Sequence, residues 1–192
     1  MDLWEALEKR RTYRKFSAPP TKEQLDRLLY AGALAPSAGN RQAWEVVVIT
    51  DPETRAKIGQ IKYDLNQGFM PATGKSGALL LLQKEAFENS TTLMVYSLAP
   101  ERTDPHRYDN GSAWLFVENI CLAAVSLGLQ AMIFALWDKA EKKLDKLLGV
   151  PASRRQVVGI NLGVPDSSYK PLKKVLKPKT KWIHREVYKV KK

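Results

Sequence analysis

The sequence predicts a sandwich of the α/β or α+β class, in which helices cover a β-sheet. Helical and strand patterns alternate along the 192 residues, and hydrophobic residues make up 44% of them, enough for a sizeable core. The first 165 residues contain no internal repeat and no low-complexity linker that would mark a domain boundary. We therefore expect one domain over residues 1–192, with a basic extension over about 170–192.

Five segments carry helix signals. Thr21 and Gln24 have the spacing of a capping box, and Pro36 ends the helix that they open, because it disfavours helical geometry at the preceding residue. One later segment is apolar nearly all round, so both of its sides must be covered. Asp138 and Glu141 are expected to cap the last helix. The predicted helices are residues 2–9, 21–34, one opened by residues 51–52, residues 112–127, and one from 138 to 149.

Strands are predicted where β-branched or apolar runs lie between turn signals. Residues 78–83 are ambiguous between strand and helix, residues 64–76 are expected to be irregular, and residues 100–111 form a polar loop. The predicted buried strands are residues 44–50, 91–98, 130–136 and 155–164.

The positive charge lies mainly at the carboxyl end. The chain carries a net charge of +11, but residues 170–192 alone contain ten Lys or Arg and one acid, so the preceding residues are close to neutral. A nucleic-acid-binding domain shows basic residues spread over a folded face, and no such module is evident. We expect no nucleic-acid or membrane partner. Binding of polyanions through the Lys-rich tail stays open as an alternative.

Three further residue types limit the possible chemistry. Cys121 is the only cysteine, which favours a reducing, cytoplasmic setting, and its place in an apolar helix favours a core role over a nucleophilic one. His106 and His184 are far apart in sequence and have no carboxylate pattern around them, so we expect no metal site. The chain contains no Gly-x-Gly-x-x-Gly motif for a built-in dinucleotide site.

Two short motifs near the amino end point to an anion and to a flat ligand. The first, RRTYRKF over residues 10–16, places three arginines within five residues just after a helix, and arginine suits phosphate. The second, PSAGNRQAW over residues 36–44, combines small residues with amide side chains. Small residues allow a flat ligand to approach the backbone, and Asn40 can bond its polar edge. Without a ligand, the two segments would be a charged loop and a surface turn.

The order and spacing of these motifs resemble those of the nitroreductase-like FMN oxidoreductases. The family pattern Arg-Arg-Ser-x-Arg stands here with Thr12 in place of serine, and Pro-Ser-x-x-Asn-x-Gln-Pro-Trp stands with Ala43 in place of the second proline. Residues 108–129 resemble the family's central helix, and residues 160–165 its last core strand. The resemblance implies an α+β sandwich with a central mixed β-sheet flanked by helices, and a homodimer.

The resemblance also implies a cofactor and a reaction. FMN would lie in the dimer interface, take a hydride from NADH or NADPH, and pass electrons to a nitroaromatic, quinone or activated alkene in a ping-pong cycle. Residues 36–40 would come from the second subunit, and a backbone N–H near Leu136 and Trp137 would face the flavin N5, so no catalytic side chain is named. The implied cofactor-binding residues are Arg10, Arg11, Thr12, Arg14, Pro36, Ser37, Ala38, Asn40, Leu136, Trp137 and Lys170.

Some positions depart from the family pattern. Many relatives have Arg-Lys-Pro-Leu after the last strand, where this chain has Tyr169 in place of the arginine. Lys170, Lys173 or Lys174 could replace that arginine at the FMN phosphate. Asn66 is a candidate for an asparagine that relatives offer in the middle of the chain. Phe69 and Tyr108 could line the substrate side of the flavin.

One alternative keeps the flavin and changes the reaction to dehalogenation or flavin fragmentation. Relatives of that kind have extra loops over the flavin ring. The segment from residue 64 to 90 is short for such a lid, which favours the oxidoreductase.

Overall fold

The computed structural model describes residues 1–73, 77–98 and 108–187, with the side chains of residues 69–73 left out. This part of the chain forms six helices and five strands. The helices are α1 (Leu3–Lys9), α2 (Lys22–Ala33), α3 (Pro52–Thr73), α4 (Gly77–Glu85), α5 (Asp109–Ser126) and α6 (Lys139–Leu148). The strands are β1 (Phe16–Ala18), β2 (Glu45–Ile49), β3 (Thr91–Leu98), β4 (Gln130–Phe134) and β5 (Arg154–Pro165).

The five strands form one sheet built around β5. The order is β1-β5-β3-β2, and β4 pairs with β5 as well. All four ladders among the described strands are antiparallel. The parallel contact is an isolated bridge between Thr12 and Ala131 at the edge of β4. The predicted α+β sandwich with a central sheet flanked by helices is confirmed, and its mixed character rests on that bridge.

Two hydrophobic layers cover the two faces of the sheet. Strand β3 contributes side chains to both layers, because successive side chains of a strand point to opposite faces of the sheet. Leu93 and Val95 pack in the layer that holds α2 and α5, whereas Met94 and Tyr96 pack in the layer that holds α3 and α6. The segment at residues 91–98 is therefore buried on both sides, and the strand prediction there is confirmed with its bounds.

The capping box of α2 and the glycine stop of α6 are confirmed, whereas the side-chain cap expected at the start of α6 is not formed. The Thr21 side chain accepts from the Gln24 N–H, and the Gln24 side chain accepts from the Thr21 N–H, so both halves of the capping box are present. Helix α6 ends at Gly149, whose φ of 67° is the left-handed conformation that glycine adopts without strain. Asp138 occupies the first cap of α6, but its side chain makes no capping hydrogen bond.

The prediction for residues 64–76 was wrong over most of that segment. Helix α3 continues through it to Thr73. Side-chain bonds one turn apart support the helix: Gln60 donates to Asp64 at 2.6 Å, and Gln67 donates to Tyr63 at 2.9 Å. The ambiguous residues 78–83 are helical within α4. Residues 74–76, and the part of the predicted polar loop that holds His106, lie outside the described residues, as does the side chain of Phe69.

Helix α5 is buried on one side only within a single chain. Nine of its residues are buried, yet Trp114 and Leu115 are 43% and 48% exposed. The helix also begins three residues earlier than predicted, at Asp109, because that carboxylate is buried and paired. The sequence predicted that both sides of this helix are covered, but the described part of this chain leaves the side with Trp114 and Leu115 exposed to solvent.

Gly159 gives a direct test of the packing between β4 and β5. A Cβ at this position would overlap the ring of Phe134, which is buried and packs edge-on to Phe87 at 4.9 Å. We expect Gly159→Val to lower the free energy of unfolding by about 1–3 kcal/mol through overpacking, measured by urea denaturation. Phe134→Leu in the same chain should recover part of that loss. Gly111→Val, at a position with open space, serves as the comparison, and equal losses in the two variants would contradict this packing.

Candidate cofactor site

The arginine-rich segment lies along the outer edge of β4. Helix α1 ends at Arg10, whose extended backbone leads the chain away from the helix axis. Two residues later the chain meets the sheet: the Tyr13 N–H donates to the Ala131 carbonyl at 3.0 Å, next to the bridge between Thr12 and Ala131. The ring of Tyr13 packs against the core. The backbone of this loop is therefore held by the sheet, and its arginines are presented from a fixed edge.

These residues form a cleft of about 200 Å³ with an excess of positive charge. No carboxylate lines it in the part of the chain that the structure describes. Arg10 forms an ion pair with Glu118, with 3.6 Å between Arg10 Nε and Glu118 Oε1. The attraction is weak because the Glu118 side chain is half exposed to water. Such a cleft suits a phosphorylated or otherwise anionic ligand. Its lining residues are Arg10, Arg11, Thr12, Arg14, Leu172 and Lys174.

The arginines differ in how much of their donor capacity is used. Arg11 Nη1 donates to the carbonyls of Glu8 and Arg10 and so closes the end of α1. Arg14 Nη1 donates to the Tyr169 hydroxyl at 3.2 Å, while its buried Nε has no hydrogen-bond partner in the described part of the chain. A buried donor without an acceptor is costly. Arg14 is therefore the group whose donors a ligand in the cleft would satisfy.

The tail contributes one cation to the cleft. The sequence offered Lys170, Lys173 and Lys174 as candidates for the FMN phosphate. Of these three, Lys174 lines the cleft, and Lys170 and Lys173 do not. Tyr169, which stands where many relatives have an arginine, contacts the arginine segment instead of supplying a charge. Its hydroxyl accepts from Arg14, and its ring meets that of Tyr13 edge-on at 5.5 Å.

The second motif forms a tight loop whose geometry is fixed by its own hydrogen bonds. Ser37 Oγ accepts from the Gln42 N–H at 3.0 Å, and the Gln42 side chain donates to Asn40 Oδ1 at 3.0 Å. Gly39, Asn40 and Gln42 have positive φ angles between 48° and 59°, and the first two residue types tolerate this conformation best. Pro36, Ser37, Ala38 and Asn40 do not line the cleft within the described chain. Their assignment to a partner's site stays a prediction.

A buried ion pair attaches this loop to α5. Arg41 donates to Asp109 Oδ1 from Nη2 at 2.6 Å and from Nε at 3.1 Å, and the Asp109 side chain is 1% exposed. The Ala38 N–H donates to Ser112 Oγ at 3.3 Å on the next turn of the helix. Sequence reasoning missed Asp109, because the pairing joins positions 68 residues apart. The loop is therefore held rigidly on the first turn of α5.

The loop after β4 carries Leu136 and Trp137. Leu136 is buried, whereas Trp137 lies at the surface with its ring 4.9 Å from Lys62 Nζ. Neither residue lines the cleft of the described chain, so their contact with a cofactor stays a prediction. Asn66 is buried on α3 and donates to Gln83 Oε1 at 2.7 Å, and Tyr108 is exposed at the start of α5.

Cys121 and His184 are not among the residues that line the cleft. Burial raises the pKa of the Cys121 thiol to about 12, so the reactive thiolate is scarce at neutral pH. The core assignment of this residue agrees with its 1% exposure. Within the described residues, no group of three His, Cys, Asp or Glu side chains could hold a metal ion. None of the helices in that same part of the chain is both long and apolar enough to span a membrane.

Comparison with known proteins decides the family. Residues 7–164 match the sequence profile described as the Nitroreductase family. The chain belongs to the nitroreductase family. Its antiparallel sheet flanked by helices agrees with solved structures of that fold.

Three similar proteins represent two activities. The chain is 30% identical to an NADPH-flavin oxidoreductase of Vibrio harveyi, covering 82% of its own residues and 63% of that enzyme's length. It is 26% identical to an iodotyrosine deiodinase of Thermotoga neapolitana, covering 96% of itself and 95% of that enzyme. It shares the fold, with a TM-score of 0.77 and 24% identity, of an iodotyrosine deiodinase crystallised with FMN and 3-iodo-L-tyrosine, covering 97% and 100% of the two chains.

Proposed function

We propose that this nitroreductase-family chain is a homodimeric, cytoplasmic FMN-dependent oxidoreductase that uses NADH or NADPH. The observation that carries the proposal is the cleft at the edge of β4, where three arginines, one lysine and one hydroxyl converge. The names of the relatives support it, since one is an NADPH-flavin oxidoreductase and another was crystallised with FMN.

The residues present fit FMN at both ends of the molecule. Arg10, Arg11 and Lys174 supply positive charge for the phosphate, and Thr12 supplies a hydroxyl for the ribityl chain. Arg14 has a buried donor that lacks an acceptor, which the carbonyl oxygens of the flavin's pyrimidine edge can satisfy. Lys174 takes the phosphate role first assigned to Lys170.

Bound FMN supplies the hydride chemistry, so the protein's contribution is position and charge. A guanidinium at the pyrimidine edge stabilises negative charge that develops there. The loop of residues 135–137 follows the strand that holds the arginine segment, and that strand extends about 10 Å from Ala131 to its end at Phe134, at 3.3 Å per residue. The arginine segment therefore lies near the start of β4, and the loop of residues 135–137 lies at its end. This arrangement suits an elongated ligand that has a phosphate at one end and a ring at the other. Residues 36–40 complete the site from the partner.

The second subunit also explains the exposed apolar surface. Trp4 on α1, Tyr30 on α2 and Trp114 on α5 lie on helices that pack together, and each is at least 43% exposed in one chain. The outer edge of β2 has no partner strand within the described residues. Large exposed apolar patches are typical of interfaces, and free strand edges invite pairing with another chain. We propose that a second copy and its tail cover both.

The proposal is tested by one set of spectra on the purified protein. The protein should be yellow, or become yellow with added FMN, and should release FMN when denatured. Under anaerobic conditions, NADH or NADPH should bleach the flavin absorbance, and a quinone or nitroaromatic should restore it. A colourless protein that does not bind added FMN rejects the function. Comparing the bleaching rates gives the preferred nicotinamide.

Dehalogenation is the second candidate function, and the near-complete mutual coverage with the Thermotoga deiodinase supports it. The two functions differ in the oxidant that the reduced enzyme prefers. A deiodinase should be reoxidised by an iodophenol with release of iodide, whereas the oxidoreductase should be reoxidised by quinones and nitroaromatics and leave the iodophenol intact. Mixing the anaerobically reduced protein with each compound separates the two.

A further inference from the structure

Lys62, which no sequence motif singled out, lies beneath the loop that follows β4. It stands in the middle of α3 and is 7% exposed. Its Nζ donates to the Ala135 carbonyl at 2.8 Å and lies 4.9 Å from the centroid of the Trp137 ring. One side chain therefore holds this loop by two contacts, a hydrogen bond and a cation–π contact.

The loop itself is held in a fixed and strained shape. The Leu136 side chain is buried in the layer below the sheet. Asp138 has φ 54° and ψ −126°, a conformation that a residue with a side chain rarely adopts. The Trp137 carbonyl accepts from the Ala140 N–H at 3.2 Å and so ties the loop to the first turn of α6. Strain of this kind persists where the surrounding contacts determine the conformation, and such places are often functional.

The planarity of the peptide bond links Lys62 to the Leu136 N–H. The Ala135 carbonyl and the Leu136 N–H belong to one planar trans group and point in opposite directions. When Lys62 fixes the carbonyl, it also fixes the direction of that N–H. The hydrogen bond to the carbonyl further polarises the group and strengthens its N–H as a donor. The Leu136 N–H has no hydrogen-bond acceptor in residues 1–73, 77–98 and 108–187.

We propose that Lys62 is a positioning residue that aims the Leu136 N–H at the N5 edge of the flavin. This inference rests on the proposed function and narrows the expected main-chain contact from the region of Leu136 and Trp137 to one N–H. Lys62 does not touch the flavin in this proposal. It acts through the 135–136 peptide group.

The test compares Lys62→Met, which loses the donors but keeps the length, with Lys62→Arg, which keeps a cationic donor. Lys57→Met, on an exposed face of the same helix, is the matched control. We expect Lys62→Met to slow the reduction of bound FMN by nicotinamide at least about 10-fold with little change in KM, as a misaligned reacting group does. Lys62→Arg should restore most of the rate, and Lys57→Met should match the wild type.

The amide signal of Leu136 gives a second readout, independent of turnover. In protein labelled with 15N-leucine, FMN should shift this signal strongly in the wild type and in Lys62→Arg, and much less in Lys62→Met. A folded Lys62→Met with wild-type kinetics and a wild-type amide shift overturns the inference while the oxidoreductase function stands. If Lys62→Met does not fold, Lys62→Gln is measured in the same way. A wild type that binds no FMN overturns the function and the inference together.

Discussion

Replacing both Arg10 and Arg14 by alanine is expected to raise the dissociation constant for FMN by two orders of magnitude or more. Hydrogen bonds to charged groups contribute about 1.5–3 kcal/mol each, so losing two of them costs about 3–6 kcal/mol, or roughly 10²- to 10⁴-fold in affinity. The fold should survive, because both arginines are only partly buried and the acid next to Arg10, Glu118, is half exposed. Quenching of FMN fluorescence during titration gives the dissociation constant, and thermal unfolding without FMN checks the fold.

The matched control is Arg27→Ala, which removes an exposed arginine of α2 outside the cleft and should leave FMN affinity unchanged. Wild-type affinity should also fall as salt is added, and the double variant should respond less, because screening acts on the charges that it lacks. Unchanged affinity in the double variant would show that the cleft at the edge of β4 does not hold the phosphate or the pyrimidine edge.

Removing residues 170–192 is expected to convert the dimer to a monomer and to abolish FMN binding. In the described chain, this tail carries the exposed apolar side chains Leu172, Val175, Leu176 and Trp182, of which Val175 is 86% exposed. Covering one such side chain contributes about 1.5–3 kcal/mol, so each that docks on a partner strengthens the dimer roughly tenfold or more. Analytical ultracentrifugation of the full chain and the truncated chain measures the change.

A charge-neutralised tail separates docking from polyanion binding. Lys177→Gln, Lys179→Gln and Lys181→Gln together remove three charges and keep the apolar residues. We expect this variant to remain dimeric and to bind FMN, because Lys174 of the cleft is untouched. If the tail serves a polyanion instead, the full chain should bind RNA in a salt-dependent manner, the triple variant should bind it more weakly, and the truncated chain should remain a dimer.

The parts of the fold that the sequence predicted well are those fixed by near neighbours in the chain. The capping box of α2 needs only residues three apart, and the end of α6 needs one glycine in the left-handed conformation. Strand β3 was predicted with its bounds because both of its faces are buried and its centre, Leu93 to Tyr96, is a continuous hydrophobic run. By contrast, residues 64–73 include glycine, proline and polar residues, and their local preference gave way to packing of α3 against α4 and α6.

The sequence by itself determined the family resemblance, the two motifs near the amino end and most of the helices and strands around them. Only the tertiary structure decided which lysine of the tail lines the cleft, which arginine of the cleft has a buried donor without a partner among the described residues, and which side chains hold the two loops. Asp109 binds Arg41 of the loop of residues 36–42, 68 positions away in the sequence. Lys62 binds the Ala135 carbonyl in the loop after β4, 73 positions away. Contacts of this kind leave no local pattern in a single sequence, because neither partner's neighbours along the chain reveal where the fold will place it.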